Sequence, residues 1–224
     1  MAERPEVLDP DEAARRARAN FRSRQLLDAA ARLMEREGSE AVSMQALATE
    51  AGVSVGLIYR YFGSKDDVLL AVIIDVLDAF ATRVPAAVTE AGDDPVRRLA
   101  AAFAAYCQVI NEHRHAALLT YRESKSLDET GRERIKQLEI ETSQPLRDAI
   151  RLGVDQGRLT TSDPELVAYN MLLLAHAWAL KHWYFERIMS LDAYIRAQLA
   201  LILRATLARG YESDYADLLD TPVG

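Results

Sequence analysis

The sequence contains one cysteine, Cys107, and few residues that interrupt helices. A single cysteine excludes an intrachain disulfide, and it predicts the reducing cytoplasm as the compartment. Ten glycines and seven prolines in 224 residues leave long stretches uninterrupted. No stretch alternates β-branched or aromatic residues with polar ones between turn residues, so strands are not expected. The composition, rich in alanine, leucine, arginine and glutamate, therefore predicts an all-α protein.

Signals for secretion, membrane insertion and catalysis are also missing. The N-terminus is charged rather than apolar, and the longest uncharged helical stretch, Leu166–Leu180, is too short to span a bilayer. There is no nucleophile elbow, no phosphate-binding glycine loop and no His-Glu-x-x-His motif. His113 and His115 make a poor metal pair, because residues two apart point to different helix faces. We expect no catalytic residues, no cofactor, no metal and no membrane partner.

The net charge of −7 argues against nucleic acid, but the distribution of charge argues for it. Between Ala13 and Lys65 there are nine basic and five acidic side chains, and the acidic excess lies outside this stretch. A basic head on an acidic body suits a protein that touches phosphate at one end only. The alternative is an ordinary fluctuation of surface charge.

Apolar periodicity and turn residues predict about nine helices. Ser43, Ser54 and the pair Ser64 and Asp67 are the expected N-caps, and Pro85 is expected to end the fourth helix. The predicted helices are about Asn20–Glu37, Met44–Ala51, Val55–Tyr61, Lys65–Val84, Val96–His113, Ala116–Lys125, Glu129–Gln156, Pro164–Met189 and Leu191–Arg209.

Residues 43–62 form the pattern of a helix-turn-helix. Gly52 permits a left-handed turn between two short helices, and Leu57 and Ile58 bury the inner face of the second one. A helix this short is held by packing rather than by itself. Its outer face carries small and hydrogen-bonding side chains, as a helix in the DNA major groove requires. The alternative is a plain helical hairpin with surface tyrosines.

Residues 21–70 resemble the DNA-binding domain of TetR-type repressors. The matching stretches are 29–34 with Gly38, 42–44, 47–48, 51–54, 56–62 and 64–65. The resemblance implies phosphate contacts for Ser43, Tyr61 and Lys65, and base-edge or backbone contacts for the outer face of the second helix. The full set of implied DNA-binding residues is Ser43, Met44, Ser54, Val55, Gly56, Tyr59, Arg60, Tyr61 and Lys65.

Two features in and beside this DNA-binding domain need separate comment. Val55 stands where many relatives carry a polar or charged residue, so its base readout can only be apolar, for example against a thymine methyl group. The arginines of 15–24 could reach a neighbouring minor groove, or they could form a solvated arm. The predicted divisions are a flexible basic arm at 1–19, a DNA-binding domain at 20–66, a ligand-binding and dimerisation domain at 67–210 and an acidic, frayed tail at 211–224.

The stretch Leu166–Leu180 is apolar nearly all the way round, so it must be covered on both sides. In TetR-type proteins two such helices from each subunit form a four-helix interface. A two-fold dimer also explains how two recognition helices address a palindrome. The predicted interface residues are Leu166, Asn170, Leu173, Leu191, Ile195, Leu199, Ile202 and Thr206.

Aromatic and histidine side chains are concentrated in the predicted fifth, sixth and eighth helices. The resemblance implies that helices in these places line an effector cavity, mostly apolar with a few polar groups. The alternative is ordinary core packing. The predicted ligand-binding residues are Phe103, Tyr106, Cys107, Ile110, His113, Leu118, Tyr121, Arg122, His176, Trp178, His182 and Trp183.

These observations predict a cytoplasmic homodimeric repressor. It binds a palindromic operator in double-stranded DNA, and a small hydrophobic or amphipathic effector releases it. The stretches Leu118–Lys125 and Trp178–Trp183 resemble regulators that respond to acyl-CoA or fatty acids, and a drug-like or aromatic effector is the alternative. Two other classes of function stay open: a helical assembly module with no DNA role, and a helical enzyme, which the missing motifs disfavour.

Overall fold

The computed structural model describes the backbone of residues 10–123 and 127–220, and side chains from residue 23 onward within those ranges. The described chain is helical, as predicted, and its one β-bridge joins Leu159 and Leu207. The elements are α1 (Pro10–Glu37), α2 (Met44–Glu50), α3 (Val55–Tyr61), α4 (Lys65–Glu90), α5 (Pro95–Glu112), α6 (Arg114–Glu123), α7 (Glu129–Thr142), α8 (Gln144–Asp155), α9 (Pro164–Leu180), α10 (His182–Phe185), α11 (Leu191–Thr206), a 3-10 turn at Glu212–Tyr215 and α12 (Ala216–Leu219).

The chain forms two compact units, and the division falls inside α4. The N-terminal unit ends at Val72 and the C-terminal unit begins at Ile73, whereas the sequence places the boundary after residue 66. Within the described ranges, no helix has both the length and the apolar character needed to cross a lipid bilayer.

The short helices of the N-terminal unit begin at the predicted serine caps. The Ser43 Oγ accepts a hydrogen bond from the backbone N–H of Ala46 at 3.1 Å. The Ser54 Oγ accepts one from the backbone N–H of Leu57 at 3.2 Å. Each cap satisfies an amide that the first turn of a helix leaves without an internal partner. Between them Gly52 has a φ of +66°, the left-handed turn expected of this glycine.

The predicted capping box at the start of α4 is present. The backbone N–H of Asp67 donates to the Ser64 Oγ at 3.1 Å, and the backbone N–H of Ser64 donates to the Asp67 carboxylate at 2.8 Å. Two amides are thus satisfied reciprocally.

The predicted end of α4 near Val84 is wrong, because the helix continues through Pro85 to Glu90. A proline inside a helix removes one backbone hydrogen bond and costs about 3 kcal/mol. Val84 is fully buried and Val88 is half-buried, so packing on both sides of the proline holds the helix together.

The first helix begins at Pro10, well before the predicted start near Asn20. The arm predicted over 1–19 is therefore helical from Pro10 onward, and residues 1–9 lie outside the described residues. Proline is well tolerated in a first helical turn. Alanine and arginine, which dominate the stretch that follows, favour helix without needing a buried face.

Two predicted long helices are each divided in the structure. The helix predicted over Glu129–Gln156 is α7 and α8, which meet at Ser143. Pro145 lies in the first turn of α8, where a missing N–H does no harm. The helix predicted over Pro164–Met189 is α9 and α10, separated at Lys181, whose φ of −122° and ψ of 25° are not helical.

The core of the C-terminal unit forms around α5, which contacts α6, α8, α9 and α11. Its apolar positions recur at helical spacing and are buried, among them Leu99, Phe103, Tyr106 and Ile110. This arrangement makes α5 the central helix of the unit.

The segment after α11 is packed against the C-terminal unit, so the predicted frayed tail is wrong for residues 211–220. The Tyr215 side chain is buried, and its hydroxyl donates to the Asp94 carboxylate at 2.7 Å. The guanidinium of Arg97 pairs with Asp217, with 3.0 Å between Nη1 and Oδ2. An acidic composition suggests a solvated tail, but here the acids meet specific arginines and a tyrosine anchors the segment.

Replacing Tyr215 by phenylalanine is expected to lower the free energy of unfolding by about 1 kcal/mol, because the ring stays buried while the Asp94 carboxylate loses a donor. Urea unfolding at one fixed protein concentration measures the change. The matched control is Tyr184→Phe, at an exposed tyrosine of the same unit, for which we expect less than about 0.5 kcal/mol. Equal effects of the two substitutions would contradict the anchoring role.

Candidate functional site

The outer face of α3 is open to solvent, while its inner face is packed. Ile58 is fully buried, whereas Tyr59 and Tyr61 are 55% and 47% exposed, and Arg60 is exposed as well. Gly56 is exposed, and a Cβ at this position would meet nothing within 4 Å. The helix therefore presents two phenols and a guanidinium to solvent beside a gap where no side chain stands.

The remaining predicted DNA-binding residues lie at the starts of the neighbouring helices. Ser43 and Ser54 are exposed caps, and Met44 and Val55 are half-buried. The Lys65 Nζ donates to the backbone carbonyl oxygen of Glu40 at 3.0 Å. An ammonium has three N–H donors, so this bond holds the Lys65 charge near the start of α2 and leaves donors for a second partner.

The C-terminal unit contains a cavity of about 310 Å³. Its wall is formed by α4, α5, α6, α7 and α9. The lining residues are Ile73, Val76, Leu77, Phe80, Tyr106, Ala117, Thr120, Tyr121, Arg132, Ile135, Lys136, Glu139 and His176.

The buried part of the wall is mostly apolar, and its exposed part carries charged and phenolic side chains. The α4 residues on the wall are all buried, and so is Ile135 of α7. Lys136, Glu139 and Tyr121 are exposed, and they mark the side of the cavity nearest solvent. This distribution is the one expected of a site for an amphipathic molecule.

Aromatic rings form the centre of the wall. Phe80 and Tyr106 are stacked with 3.9 Å between ring centroids. The His176 ring stands edge-on to Tyr121 at 5.3 Å and is tilted against Tyr106 at 6.1 Å. Among the described residues, Nδ1 of His176 is buried without a hydrogen-bond partner.

Burial shifts the ionisable groups of the wall toward their neutral forms. It lowers the pKa of His176 to about 4, so the imidazole is neutral at pH 7. It raises the pKa of Tyr106, against the opposing hydrogen bond with Thr142. Burial also raises the pKa of Glu139, and burial followed by the Glu139 charge raises the pKa of Tyr121. Each of these shifts favours the neutral form of its group.

The structure brings three of the predicted ligand-binding residues to the cavity wall, namely Tyr106, Tyr121 and His176. The other nine lie elsewhere and are Phe103, Cys107, Ile110, His113, Leu118, Arg122, Trp178, His182 and Trp183. These nine are not on this wall, and a ligand-binding role for them stays a prediction.

Packing inside the unit accounts for the positions of four of these nine residues. Phe103, Cys107 and Ile110 are buried in the core around α5, and burial raises the pKa of the Cys107 thiol to about 12. Trp178 donates from Nε1 to the Asn111 Oδ1 at 2.8 Å. Trp183 and Arg122, in contrast, are exposed. Aromatic and histidine content alone therefore does not reveal which helix face meets a cavity.

The contributions of α4 and α7 to the wall were not predicted from the sequence. On α7 a signal was available, because Arg132, Ile135, Lys136 and Glu139 recur at the spacing of a single helix face. For α4 there was no signal, since its wall residues are indistinguishable from core positions.

The predicted interface residues divide between two environments. On α9, Leu166 and Leu173 are 57% and 56% exposed, and Asn170 is exposed too. Two more apolar side chains, outside the predicted interface set, are exposed: Tyr169 on α9 and Leu201 on α11.

The interface predicted on α11 is wrong for three of its five residues. Ile195, Leu199 and Thr206 are only 7%, 4% and 8% exposed within a single chain. Helix α11 contacts α5 and α12, so its most apolar face is used inside the unit and is not available to a second subunit. Leu191 and Ile202 are half-buried.

Comparison with known proteins gives consistent matches along the chain. Residues 26–72 match the family described as bacterial regulatory proteins, tetR family, and residues 92–206 match the tetracyclin repressor-like C-terminal domain. The transcriptional regulator HbdR of Aromatoleum sp. (strain CIB), an HTH-type protein, is 38% identical over 186 residues, which are 83% of this chain and 81% of HbdR.

Solved structures resemble the fold as well. PfmR, a TetR family transcriptional regulator from Thermus thermophilus, superposes with a TM-score of 0.71 at 27% identity, covering 80% of this chain and 97% of PfmR. AibR, in complex with isovaleryl coenzyme A and operator DNA, superposes with a TM-score of 0.68 at 21% identity, again over 80% of this chain and 97% of AibR. At this identity, the likeness to AibR shows a shared fold and no more.

Proposed function

The chain belongs to the TetR family of bacterial regulatory proteins, and from that premise we propose that it is an effector-released repressor. It is a DNA-binding transcriptional regulator rather than an enzyme. In our proposal it binds a palindromic operator as a homodimer, and a small amphipathic molecule in the cavity releases it. The observation that carries the proposal is the solvent-facing surface of α3, together with the exposed Ser43 and Ser54 caps at the starts of α2 and α3.

In the proposed DNA complex, α3 enters the major groove. Tyr59 and Arg60 reach base edges, and the small Gly56 lets the helix backbone approach the bases. Tyr61 and Lys65 contact phosphates and set the register without reading sequence. Ser43 and Ser54 are placed beside them at the starts of their helices, where a side chain can also touch the backbone of the duplex.

The proposed dimer uses the exposed apolar face of α9. Leu166, Tyr169, Asn170 and Leu173 lie three or four residues apart, the spacing that places them on one side of a helix. Leu201 on α11 adds apolar surface, and α11 contacts α9. An apolar row of this kind is unfavourable in water and favours a two-fold contact between identical faces.

The effector in this proposal carries an apolar part and an anionic part. The buried wall from α4 suits the first, and Arg132 and Lys136 suit the second. The fold of AibR, known with isovaleryl coenzyme A, gives an example of an acyl thioester bound by a chain of this architecture. Acyl-CoA and fatty acids are therefore the effector class that we favour. The stacked rings of Phe80 and Tyr106 are the observation that favours the second candidate, a drug-like or aromatic compound.

Release follows from the helix that serves both units. A molecule in the cavity packs against Ile73, Val76 and Phe80, and the first turns of the same helix belong to the N-terminal unit. Effector binding then favours a conformation with lower operator affinity, and linkage requires that operator DNA weaken effector binding by the same factor. Moving the equilibrium from mostly bound to mostly free needs a preference of about 5 kcal/mol.

The proposal is tested by gel shift of the full-length protein with genomic fragments, followed by titration of decanoate, decanoyl coenzyme A and the aromatic cation crystal violet. We expect retention of specific fragments and their release by the two acyl compounds. Release by crystal violet alone would instead favour the drug-like effector. A protein that retains no fragment at low salt would contradict the DNA-binding role.

Filling the cavity is expected to abolish the effector response. Ala117 lines the wall and is buried, so Ala117→Phe places a ring where the ligand would lie. We expect the concentration of decanoyl coenzyme A needed for half-release to rise at least about tenfold, since one large side chain removes contacts worth more than 1.4 kcal/mol. Gel shift with and without the acyl compound measures the change.

The matched control is Ala86→Phe, an exposed alanine of α4 that is not on the wall, and its response should equal that of the wild type. Thermal unfolding of both variants separates loss of ligand from loss of fold, because overpacking a core costs about 1–3 kcal/mol. An unchanged response in Ala117→Phe would show that the effector binds elsewhere.

A further inference from the structure

One residue on the cavity wall has a buried side-chain nitrogen without a hydrogen-bond partner. Within the part of the chain that the structure describes, three buried side-chain nitrogens lack a partner: Arg147 Nε, His176 Nδ1 and His182 Nδ1. His176 is the one of these three residues that lines the cavity. An unpaired buried nitrogen costs free energy, and a native structure usually has a use for it.

The imidazole can offer this nitrogen to the cavity. A half-turn about the Cβ–Cγ bond exchanges the positions of Nδ1 and Cδ2, and that torsion is broad and roughly two-fold in histidine. The ring that stands edge-on to His176 is Tyr121, which is 48% exposed. Because about half of the Tyr121 side chain faces solvent and is not packed, the ring can move to admit a ligand group.

The tautomer of a neutral imidazole decides whether Nδ1 pairs with a donor or with an acceptor. Burial keeps His176 neutral, with a pKa of about 4, so Nδ1 is a donor in one tautomer and an acceptor in the other. An ammonium group only donates, and a carbonyl or carboxylate only accepts. A hydroxyl does both, and it therefore pairs with Nδ1 in either tautomer.

A second partner for a hydroxyl lies nearby. The Glu139 carboxyl acts electrostatically on Tyr106 and Tyr121, the two rings that contact His176. Glu139 also lines the cavity. A hydroxyl that reaches both residues accepts from the Nδ1–H of His176 and donates to the Glu139 carboxylate, whereas a carbonyl oxygen serves only the imidazole.

We propose that the effector carries a hydroxyl on its apolar portion, and that this hydroxyl forms a hydrogen bond with Nδ1 of His176 while the anionic end lies at Arg132 and Lys136. The inference rests on the proposed function, because it names the ligand class of the same cavity. That class is a hydroxylated amphipathic anion, such as a hydroxy fatty acid or its thioester.

The test is isothermal titration of the full-length protein with decanoate and with positional isomers of hydroxydecanoate. At least one isomer should bind the wild type about tenfold more tightly than decanoate, the factor expected when a buried polar group gains its partner. In His176→Phe, which keeps a ring against Tyr121, this preference should fall to about onefold while decanoate still binds.

The matched control is His182→Phe. His182 has an equally unpaired Nδ1 but does not line the cavity, so the variant should keep the hydroxyl preference of the wild type. Nitrogen-15 NMR of histidine-labelled wild type gives a readout that needs no substitution. The His176 Nδ1 resonance should shift with the preferred isomer and stay in place with decanoate.

The outcomes that overturn the proposal are distinct from those that overturn the proposed function. Equal binding of decanoate and every isomer overturns the hydroxyl assignment alone. A hydroxyl preference that survives in His176→Phe, or that His182→Phe also removes, does the same. Failure of all these anions to bind overturns the amphipathic effector itself, and the hydroxyl assignment fails with it.

Discussion

Replacing Tyr59 and Lys65 together by alanine is expected to lower operator affinity by about a thousandfold. Each base contact is worth about 1–3 kcal/mol, a phosphate contact adds to it, and a dimer loses both twice. Tyr59 is 55% exposed and contributes little to the fold, so its loss acts on DNA binding. Fluorescence anisotropy with a labelled operator, at one stated salt concentration, measures the effect.

The two substitutions should also differ from each other. Tyr59→Ala should relax sequence preference, whereas Lys65→Ala should weaken binding to all sequences alike and make it less dependent on salt. Lys65 also donates to the Glu40 carbonyl oxygen. Thermal unfolding of the single variants is therefore needed to show that the N-terminal unit remains folded.

The matched control for the double variant is Lys181→Ala with Tyr184→Ala. Both residues are exposed, and they lie in the C-terminal unit, so operator affinity should change by less than about twofold. If the Tyr59 and Lys65 double variant bound the operator as tightly as the control, the assignment of α3 as the recognition helix would be wrong.

Charging the exposed face of α9 by Leu173→Glu is expected to turn the dimer into a monomer. The residue is 56% exposed in the single chain. The two-fold contact would bury two unpaired carboxylates, at a cost of about several kcal/mol. The dimer dissociation constant should therefore rise by about a thousandfold or more, and operator affinity should fall with it. Sedimentation velocity at micromolar concentration measures both proteins.

Two further substitutions sharpen this test. Ile140→Glu charges an apolar side chain of α7 that is 47% exposed, and it should leave the dimer intact. Leu199→Glu places a charge at a residue that the sequence predicts to lie in the interface. Leu199, however, is only 4% exposed within one chain. The substitution should therefore unfold the C-terminal unit rather than release a folded monomer. A wild-type protein that sediments as a monomer would contradict the proposed interface.

The sequence by itself was sufficient for features that depend on neighbours in the chain. The caps at Ser43 and Ser54, the capping box at Ser64 and the left-handed turn at Gly52 were all predicted, and all are present. The burial of Ile58 also follows from helical spacing alone. Such features are readable because the interacting groups lie within about four residues of each other.

Packing between distant segments decides, in part, where helices end. Pro85 predicts the end of a helix, yet α4 continues past it because Val84 is buried against the rest of its unit. The acidic residues after α11 read as a solvated tail, yet Tyr215 reaches Asp94, far away in the sequence. Local propensity is a weak preference that tertiary contacts override.

The cavity and the free face of α9 were decided only by the tertiary structure. Composition could select aromatic and histidine residues as candidates, but Tyr106 lines the cavity while Phe103, on the same helix, is core. Likewise Leu199 is covered inside its own chain while Leu173 is open to solvent. An apolar side chain has the same pattern in the sequence whether its neighbour is a core helix, a ligand or a second subunit. Only the positions of the other helices distinguish these cases.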